Sequence, residues 1–170
     1  MLILLIRLPW VVLRGLRRPK LDLGDESVLT MRVWPNDLDW YMHVNNGRYL
    51  TLMDLGRTDF SVRTVLMKLF RKRRWQPVAG AVTIRFRRSL QPFQRYTLTT
   101  RMAGWNERWW FFEQRFEAAG ELYALAYAKV AILEKGKPLP AAQVLDATGW
   151  SGEQPTLPEG IVNWQRSDAS

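Results

Sequence analysis

The chain has 170 residues, which suits one domain, and 47% of them are hydrophobic, enough to form a buried core. It contains no cysteine, which excludes disulfides, thiolate catalysis and cysteine-ligated metal, and its single histidine argues against a histidine-rich metal site. The formal net charge of +9 favours partners that carry phosphate or other anionic groups.

The first 20 residues combine an apolar run with basic side chains. Residues 1–13 read MLILLIRLPWVVL, which is too short for a membrane-spanning helix of about 20 apolar residues. Two interpretations remain open: an amphipathic helix that lies on an anionic membrane, or a helix that packs on its own domain or on a partner subunit. On the first interpretation, the residues that meet anionic lipid are Arg14, Arg17, Arg18 and Lys20.

A strand followed by a polar stretch comes next. Ser27 to Trp34 alternates apolar and polar residues, which predicts a first strand that ends at Pro35. Residues 35–50, PNDLDWYMHVNNGRYL, then crowd polar side chains between this strand and a helix. Because polar groups are costly to bury without partners, this clustering indicates a site. Asn45 or Asn46 can cap the helix, whose free N–H groups would follow Asp39 closely.

The residue types in this stretch follow a fixed order. It reads Asp37-x-Asp39-x-x-x-His43-Val44-Asn45-Asn46-x-x-Tyr49-Leu50, with Asp54 and Arg57 beyond. This order resembles the signature of hot-dog-fold thioesterases of the 4-hydroxybenzoyl-CoA type, and most closely their membrane-associated, thioesterase-like branch. The resemblance runs from Leu29 to Leu133. It implies an α+β hot-dog fold, in which a five-stranded antiparallel sheet wraps around a long central helix, and an acyl-CoA thioester substrate.

Hydrophobic periodicity supplies the remaining elements. The helix after Asn46 has one apolar face, on which Gly56 would allow close approach to a sheet. Helical spacing continues over Ser61 to Phe70, and the basic stretch Arg71 to Arg74 follows. Four further strands are predicted, over residues 78–87, 96–105, 108–117 and 122–133. This order agrees with the hot-dog fold. We divide the chain into an N-terminal segment (1–20), the domain (21–140) and a tail (141–170) that packs over the domain.

The resemblance also implies catalytic roles. Asp39 would be the general base or nucleophile, and the backbone N–H of Asn46, helped by that of Gly47, would hold the oxyanion. The residues alone favour a turn or capping role for Asp39 and local turn bonding for Asp37. No cofactor is expected beyond the coenzyme A of the substrate. We expect no metal site either, since Asp37, Asp39 and His43 match no common ligand spacing.

Other residues are candidates for substrate contact. Strand arginines would meet the CoA phosphates, although such arginines more often face solvent; they are Arg85, Arg87, Arg88 and Arg95. The loop is bulky, with Met42 where the commonest family sequence has glycine, and it either lines an acyl pocket or crowds the site. Its candidate contacts are Trp40, Tyr41, Met42, His43 and Asn45. For Asp54, an ion pair with Arg57 is favoured over a catalytic role.

Two other functions are alternatives to hydrolysis. A non-catalytic acyl-CoA or lipid-binding module could use the same fold and loop. Nucleic-acid binding is not supported, because the aromatic residues lie mostly in apolar runs and no recognition motif is present. The resemblance implies a homodimer or a dimer of dimers formed by sheet pairing. We expect a cytoplasmic protein, attached peripherally to the membrane on the first interpretation of residues 1–20.

Overall fold

The computed structural model describes residues 2–168, and the side chains of residues 6–167. Its helices are α1 (Leu2–Arg17), α2 (Asn46–Arg63), α3 (Leu66–Arg73), α4 (Ala141–Thr148) and α5 (Glu159–Asp168). Its strands are β1 (Ser27–Arg32), β2 (Trp75–Phe86), β3 (Arg95–Trp105), β4 (Trp110–Ala118), β5 (Glu121–Glu134) and β6 (Lys137–Pro138). The element order agrees with the predicted α+β order of one strand, a long helix and four more strands.

The strands form one antiparallel sheet in the order β1-β3-β4-β5-β2. The two-residue strand β6 pairs with the end of β5, which makes six strands where five were predicted. The sheet curls around α2. The evidence is that this one helix contacts strands from both halves of the sheet. The Tyr49 ring lies 5.0 Å from Phe86 on β2 and 4.9 Å from Phe116 on β4. Further along the same helix, Asp59 accepts a hydrogen bond from Ser27 on β1.

The apolar face predicted for α2 is buried against the sheet. Tyr49, Leu52, Met53 and Phe60 are all buried there. Gly56 brings the helix close to the sheet, as predicted, since a Cβ at this position would lie 2.6 Å from Thr100 Oγ1 and 2.8 Å from Leu98 Cδ2. The backbone of α2 therefore approaches β3 more closely than any other residue type would allow.

We expect Gly56→Ala to lower the free energy of unfolding by about 1–3 kcal/mol, because the added methyl group overpacks a closed contact. Alanine favours helix by up to about 1 kcal/mol over glycine, so the overlap has to outweigh that gain. Urea unfolding measures the difference. Gly24→Ala is the control, since its Cβ would meet only Trp150, at 3.8 Å. Equal stability of Gly56→Ala and the parent would contradict the close approach.

The helix α1 packs on the domain. Val11 is fully buried in the core. A Cβ at Gly15 would lie 2.9 Å from Cγ1 of Val62 on α2, so α1 and α2 pack closely together. The opposite face of α1 carries exposed apolar side chains: Ile6, Trp10, Leu13 and Leu16. Packing on the domain thus accounts for one face of this helix and leaves the other face open. Among the helices of the described chain, none has the length and continuous apolarity that crossing a bilayer requires.

Two arginines of α1, and Arg18 directly after it, bind the free edge of the sheet. Three arginines donate to alternate carbonyls of β1 over 2.9–3.3 Å: Arg7 to Arg32, Arg14 to Thr30 and Arg18 to Val28. Lys20, just beyond the helix, donates to the carbonyl of Val62. Of the four basic residues expected to meet lipid, three therefore bond backbone of their own domain, and Arg17 is exposed.

Differences from the predicted elements lie mainly at their ends and in the tail. The helix α3 continues through the basic stretch to Arg73, and β2 begins at Trp75. The tail forms two helices that were not predicted, α4 and α5, although it does pack over the domain as expected. Ile161 of α5 is fully buried, and the ring of Trp150 lies 5.6 Å from that of Trp105 on β3.

Candidate functional site

Residues 37–45 form a closed loop at the start of α2. The N–H of Asn45 donates to the carbonyl of Asp37 over 2.9 Å, and the N–H of Asp39 donates to the carbonyl of His43 over 2.8 Å. Between them, Leu38 and Val44 form an antiparallel bridge. The two arms of the loop therefore lie side by side, and Asp39 is held near the helix start although six residues separate it from Asn46.

The Asp39 carboxylate uses one of its oxygens to hold this loop. Its Oδ1 accepts the N–H of Tyr41 over 2.9 Å and that of His43 over 3.3 Å. This is the turn-bonding role that the residues alone favoured. Its Oδ2 has no hydrogen-bond donor in the part of the chain that the structure describes, and the side chain is half-buried. One oxygen thus fixes the carboxylate while the other remains free to accept a proton.

The start of α2 presents one free donor. The Asn45 side chain caps the helix by accepting the N–H of Gly47 over 2.9 Å, and the Asn45 carbonyl accepts the N–H of Arg48 over 2.8 Å. Gly47, which the resemblance implied as a second oxyanion donor, therefore already uses its N–H in the cap. For the N–H of Asn46, residues 2–168 supply no acceptor. At this helix start, the backbone N–H of Asn46 is the donor that is free to bond a substrate.

Asp37 lies on the same loop and is completely buried. It accepts the N–H of Trp34, the local turn bond that was expected. It also binds Arg7 in a bidentate ion pair, with Nη2 to Oδ2 at 2.7 Å and Nη1 to Oδ1 at 3.1 Å. Sequence reasoning missed this second partner. The signal was an arginine inside an apolar run, since a buried guanidinium needs an acid to pair with.

The bulky residues of the loop point away from the domain. Trp40 is 95% exposed and Tyr41 is 79% exposed, and Met42 is exposed as well. None of the three side chains lines any of four cavities in the described part of the chain. Met42 has a φ of +61°, the left-handed conformation that favours glycine, which gives a physical reason for the glycine of the commonest family sequence. His43 is half-buried and holds the loop through its backbone.

The end of β2 brings arginines to the same end of the molecule. Arg85 and Arg87 are exposed, and Arg88 pairs with Glu121 at 2.5 Å. This end adjoins the loop, because the carbonyl of Leu90 accepts the N–H of Val44 over 3.1 Å. Arg95, which was grouped with these arginines, lies apart from them on β3, with β4 and β5 between.

A cavity of about 340 Å³ lies further along α2, between this helix, α3 and the sheet. Its wall is mainly apolar and includes Met67, Phe70, Phe112 and Val130. Asp54 and Arg57 also line it, and they form the ion pair that was predicted for them. Arg57 also donates to Gln114 Oε1 over 2.7 Å. Burial lowers the pKa of Arg57, and the Asp54 carboxylate opposes that shift.

We expect Asp54→Asn to have a small effect on both activity and stability. Arg57 is mostly buried, but the Asp54 side chain is 58% exposed, so water screens the ion pair and its loss is expected to cost little. Arg57 keeps its bond to Gln114 when the carboxylate is replaced by an amide. Steady-state kinetics and urea unfolding of the variant measure both effects. A large loss of kcat at unchanged stability would instead place the catalytic carboxylate on α2.

Comparisons in sequence place the chain among thioesterase-like proteins. The family model described as "Thioesterase-like superfamily" matches residues 33–164. The chain is 31% identical over 162 residues to Protein THEM6 of Xenopus laevis, which covers 94% of this chain and 77% of that protein. It is 37% identical over 115 residues to Protein THEM6 of Danio rerio, which covers 63% of this chain and only 57% of that protein.

Comparisons of structure give the same fold. The probable thioesterase YbaW from Escherichia coli superposes with a TM-score of 0.67 at 22% identity, covering 71% of this chain and 94% of that one. A thioesterase from Thermus thermophilus, complexed with coenzyme A and Zn, superposes with a TM-score of 0.63 at 22% identity, covering 73% and 97%. These likenesses confirm the hot-dog fold that the loop signature implied.

Proposed function

The chain belongs to the thioesterase-like superfamily, and on that premise we propose that it hydrolyses an acyl thioester of coenzyme A. One observation carries the proposal. The closed loop holds a carboxylate with one free oxygen, Asp39 Oδ2, beside a helix start with one free donor, the Asn46 N–H. Hydrolysis of a thioester needs both groups, a base for water and a donor for the carbonyl oxygen.

In the proposed reaction, Asp39 acts as the general base. Its Oδ2 takes a proton from a water molecule as the water oxygen attacks the thioester carbonyl carbon. Negative charge develops on the carbonyl oxygen, which accepts a hydrogen bond from the Asn46 N–H at the positive end of the α2 dipole. The carbon–sulfur bond then breaks. The leaving thiolate takes the proton from Asp39, which releases coenzyme A as a thiol and the acyl group as a carboxylic acid.

Two features support an acyl-CoA as the substrate. The arginines at the end of β2, Arg85 and Arg87, are exposed cations beside the loop and suit the phosphates of coenzyme A. The apolar cavity along α2 suits an acyl chain. It begins at Asp54, eight residues after Asn46, which corresponds to about 12 Å along the helix axis. An acyl group that reaches this cavity from the loop therefore has to be extended.

We also propose that two copies associate through β2. This strand is at one edge of the sheet and pairs only with β5 in the described chain. It is long, and Val78 and Phe86 are exposed on it. A long edge strand with apolar exposure is a surface on which a second strand can add. Such pairing would also bring a second copy close to the exposed loop residue Trp40, since the end of β2 adjoins the loop.

A panel of acyl-CoA thioesters tests the proposal. Release of free thiol from aromatic, medium-chain and long-chain acyl-CoA should be followed with the full-length protein. We expect hydrolysis of at least one class above the rate of the protein-free solution. The absence of hydrolysis throughout the panel, with a protein that is folded and dimeric, would contradict the proposal.

A second candidate function, a non-catalytic acyl-CoA-binding module, is favoured by one observation. The Asp39 carboxylate already bonds two N–H groups of its own loop, which is sufficient reason for an aspartate at this position. On this alternative, a member of the panel would bind with high affinity and remain intact. Isothermal titration with each thioester, followed by mass analysis of the recovered ligand, separates the two functions.

A further inference from the structure

A second groove lies on the opposite edge of the sheet from β2, between α1 and β1. Its volume is about 460 Å³. Three arginines line it from three different elements: Arg14 from α1, Arg32 from β1 and Arg95 from β3. Arg7 also reaches it, but the Asp37 carboxylate offsets that charge. No aspartate or glutamate of the described chain lines the groove. The groove is therefore cationic and has no internal counter-charge for three guanidinium groups.

Two of these arginines stand directly opposite each other. Arg32 and Arg95 are cross-strand partners in the β1–β3 register, so their side chains leave the same face of the sheet. Like charges in directly opposite positions destabilise a sheet. In the described chain, neither guanidinium lies within ion-pair distance of a carboxylate. The pair is thus unfavourable in the isolated protein and becomes favourable when an anion lies between the two arginines.

Arg14 adds a third donor group to the same groove. Its Nη1 donates to the carbonyl of Thr30 over 3.3 Å, and its guanidinium lies 5.0 Å from the centre of the Trp10 ring. These contacts fix the side chain while leaving other N–H groups free, since a guanidinium carries five donors. Arginine forks bind phosphate through paired hydrogen bonds, so this arrangement suits a phosphate group.

The rim of the groove is apolar and exposed, which argues for an amphiphile. Ile6, Trp10 and Trp34 line the groove, and all three are exposed to solvent. The exposed apolar face of α1 continues from Trp10 to Leu13 and Leu16. A soluble phosphate would bury none of this surface. A phospholipid in a membrane places its phosphate beside an apolar layer, and tryptophan favours the depth of the headgroups.

We propose that the groove between α1 and β1 binds the phosphate of an anionic phospholipid, with the exposed face of α1 lying on the membrane surface. The proposal rests on the groove and does not depend on hydrolysis at Asp39. It places the membrane contact on a folded helix. It also assigns lipid binding to Arg32 and Arg95 of the sheet together with Arg14, whereas Arg18 and Lys20 bond their own domain.

Vesicle co-sedimentation with the full-length protein tests the proposal. The vesicles are phosphatidylcholine with and without phosphatidylglycerol, whose only net charge is its phosphate. The test variant is Arg32→Gln/Arg95→Gln. The control is Lys135→Gln/Lys137→Gln, which removes the same charge from exposed positions at the far end of the sheet. Each basic side chain near an anionic surface contributes about 1 kcal/mol, so the test variant should bind roughly thirty-fold more weakly and the control should bind as the parent does.

Two further measurements keep the outcome unambiguous. Urea unfolding of the Arg32→Gln/Arg95→Gln variant should give a stability at least equal to that of the parent, because like charges are removed. Titration with inorganic phosphate should give much weaker binding than the vesicles do. Equal loss of vesicle binding in the test and control variants would overturn the proposal by assigning the effect to overall charge. Tight binding of inorganic phosphate without vesicle binding would overturn it in favour of a soluble ligand.

Discussion

Asp39→Asn is expected to lower kcat on any hydrolysed thioester by about 10²–10⁴-fold, while the fold stays intact. An asparagine at this position can keep the loop bonds, because its Oδ1 can accept the N–H groups of Tyr41 and His43 as the carboxylate does. Its amide nitrogen then replaces Oδ2. That nitrogen is a donor and cannot take a proton from water. The substitution therefore separates the loop-holding role from the proposed role as a base.

Steady-state kinetics of purified Asp39→Asn, with circular dichroism and urea unfolding, measures both roles. Asp54→Asn is the matched control, since it makes the same chemical change on a nearby element and is expected to have a small effect. Wild-type kcat in Asp39→Asn would show that the carboxylate is not the base. A loss of activity that is matched by a loss of stability would assign Asp39 to the structure of the loop.

Arg7→Met is expected to lower the free energy of unfolding by about 3–5 kcal/mol, because it leaves a buried carboxylate without its counter-charge. Asp37 is completely buried, and Arg7 is 5% exposed. The next cation, Arg48, approaches Asp37 only to 3.9 Å. Methionine fills a similar volume, so the loss reports on charge more than on packing. A 170-residue protein of ordinary stability has a free energy of unfolding of about 5–15 kcal/mol and would lose a large part of it.

Arg17→Met is the control for this prediction, since it makes the same substitution at an exposed position of the same helix and should change stability by less than about 0.5 kcal/mol. Arg7→Met combined with Asp37→Asn should be less destabilised than the sum of the single variants, because the second change removes the unpaired charge. Guanidinium chloride unfolding of the parent, the three single variants and the double variant measures these differences. Equal effects of Arg7→Met and Arg17→Met would contradict the buried ion pair.

The local parts of the fold and site could be predicted from the sequence. Asparagines before an apolar periodic stretch predicted the start of α2, and the structure has Asn45 as its cap. The apolar face of α2 predicted its packing, and Gly56 predicted its approach to the sheet. Capping and periodicity could be predicted because they depend on neighbours within a few residues. Gly56 could be recognised because it is the smallest residue on the apolar face of the helix, although the strand that it approaches is distant in the sequence.

Contacts between distant segments could not be predicted in the same way. The pattern of residues 1–20 is the same for a helix on lipid and for a helix on its own domain. Only the folded chain has Arg7 beside Asp37, 30 residues away. The difference between Asn46 and Gly47 as donors likewise depends on where the Asn45 side chain turns. Arg95 was grouped with Arg85 by residue type, and strand order placed it on another part of the sheet.

The hydrogen bonds from Arg7, Arg14 and Arg18 to β1 carbonyls hold α1 along this edge of the sheet and have a consequence for self-association. With α1 along β1, a second copy can add a strand only at β2. Two copies that pair through β2 each cover the other's free edge, so no third copy can be added. If α1 were detached, each copy would present an open strand at both ends of its sheet, and addition could continue from copy to copy into a fibre. If two copies pair through β2 as proposed, the N-terminal helix would prevent further strand addition, and its loss is expected to favour aggregates of unlimited size.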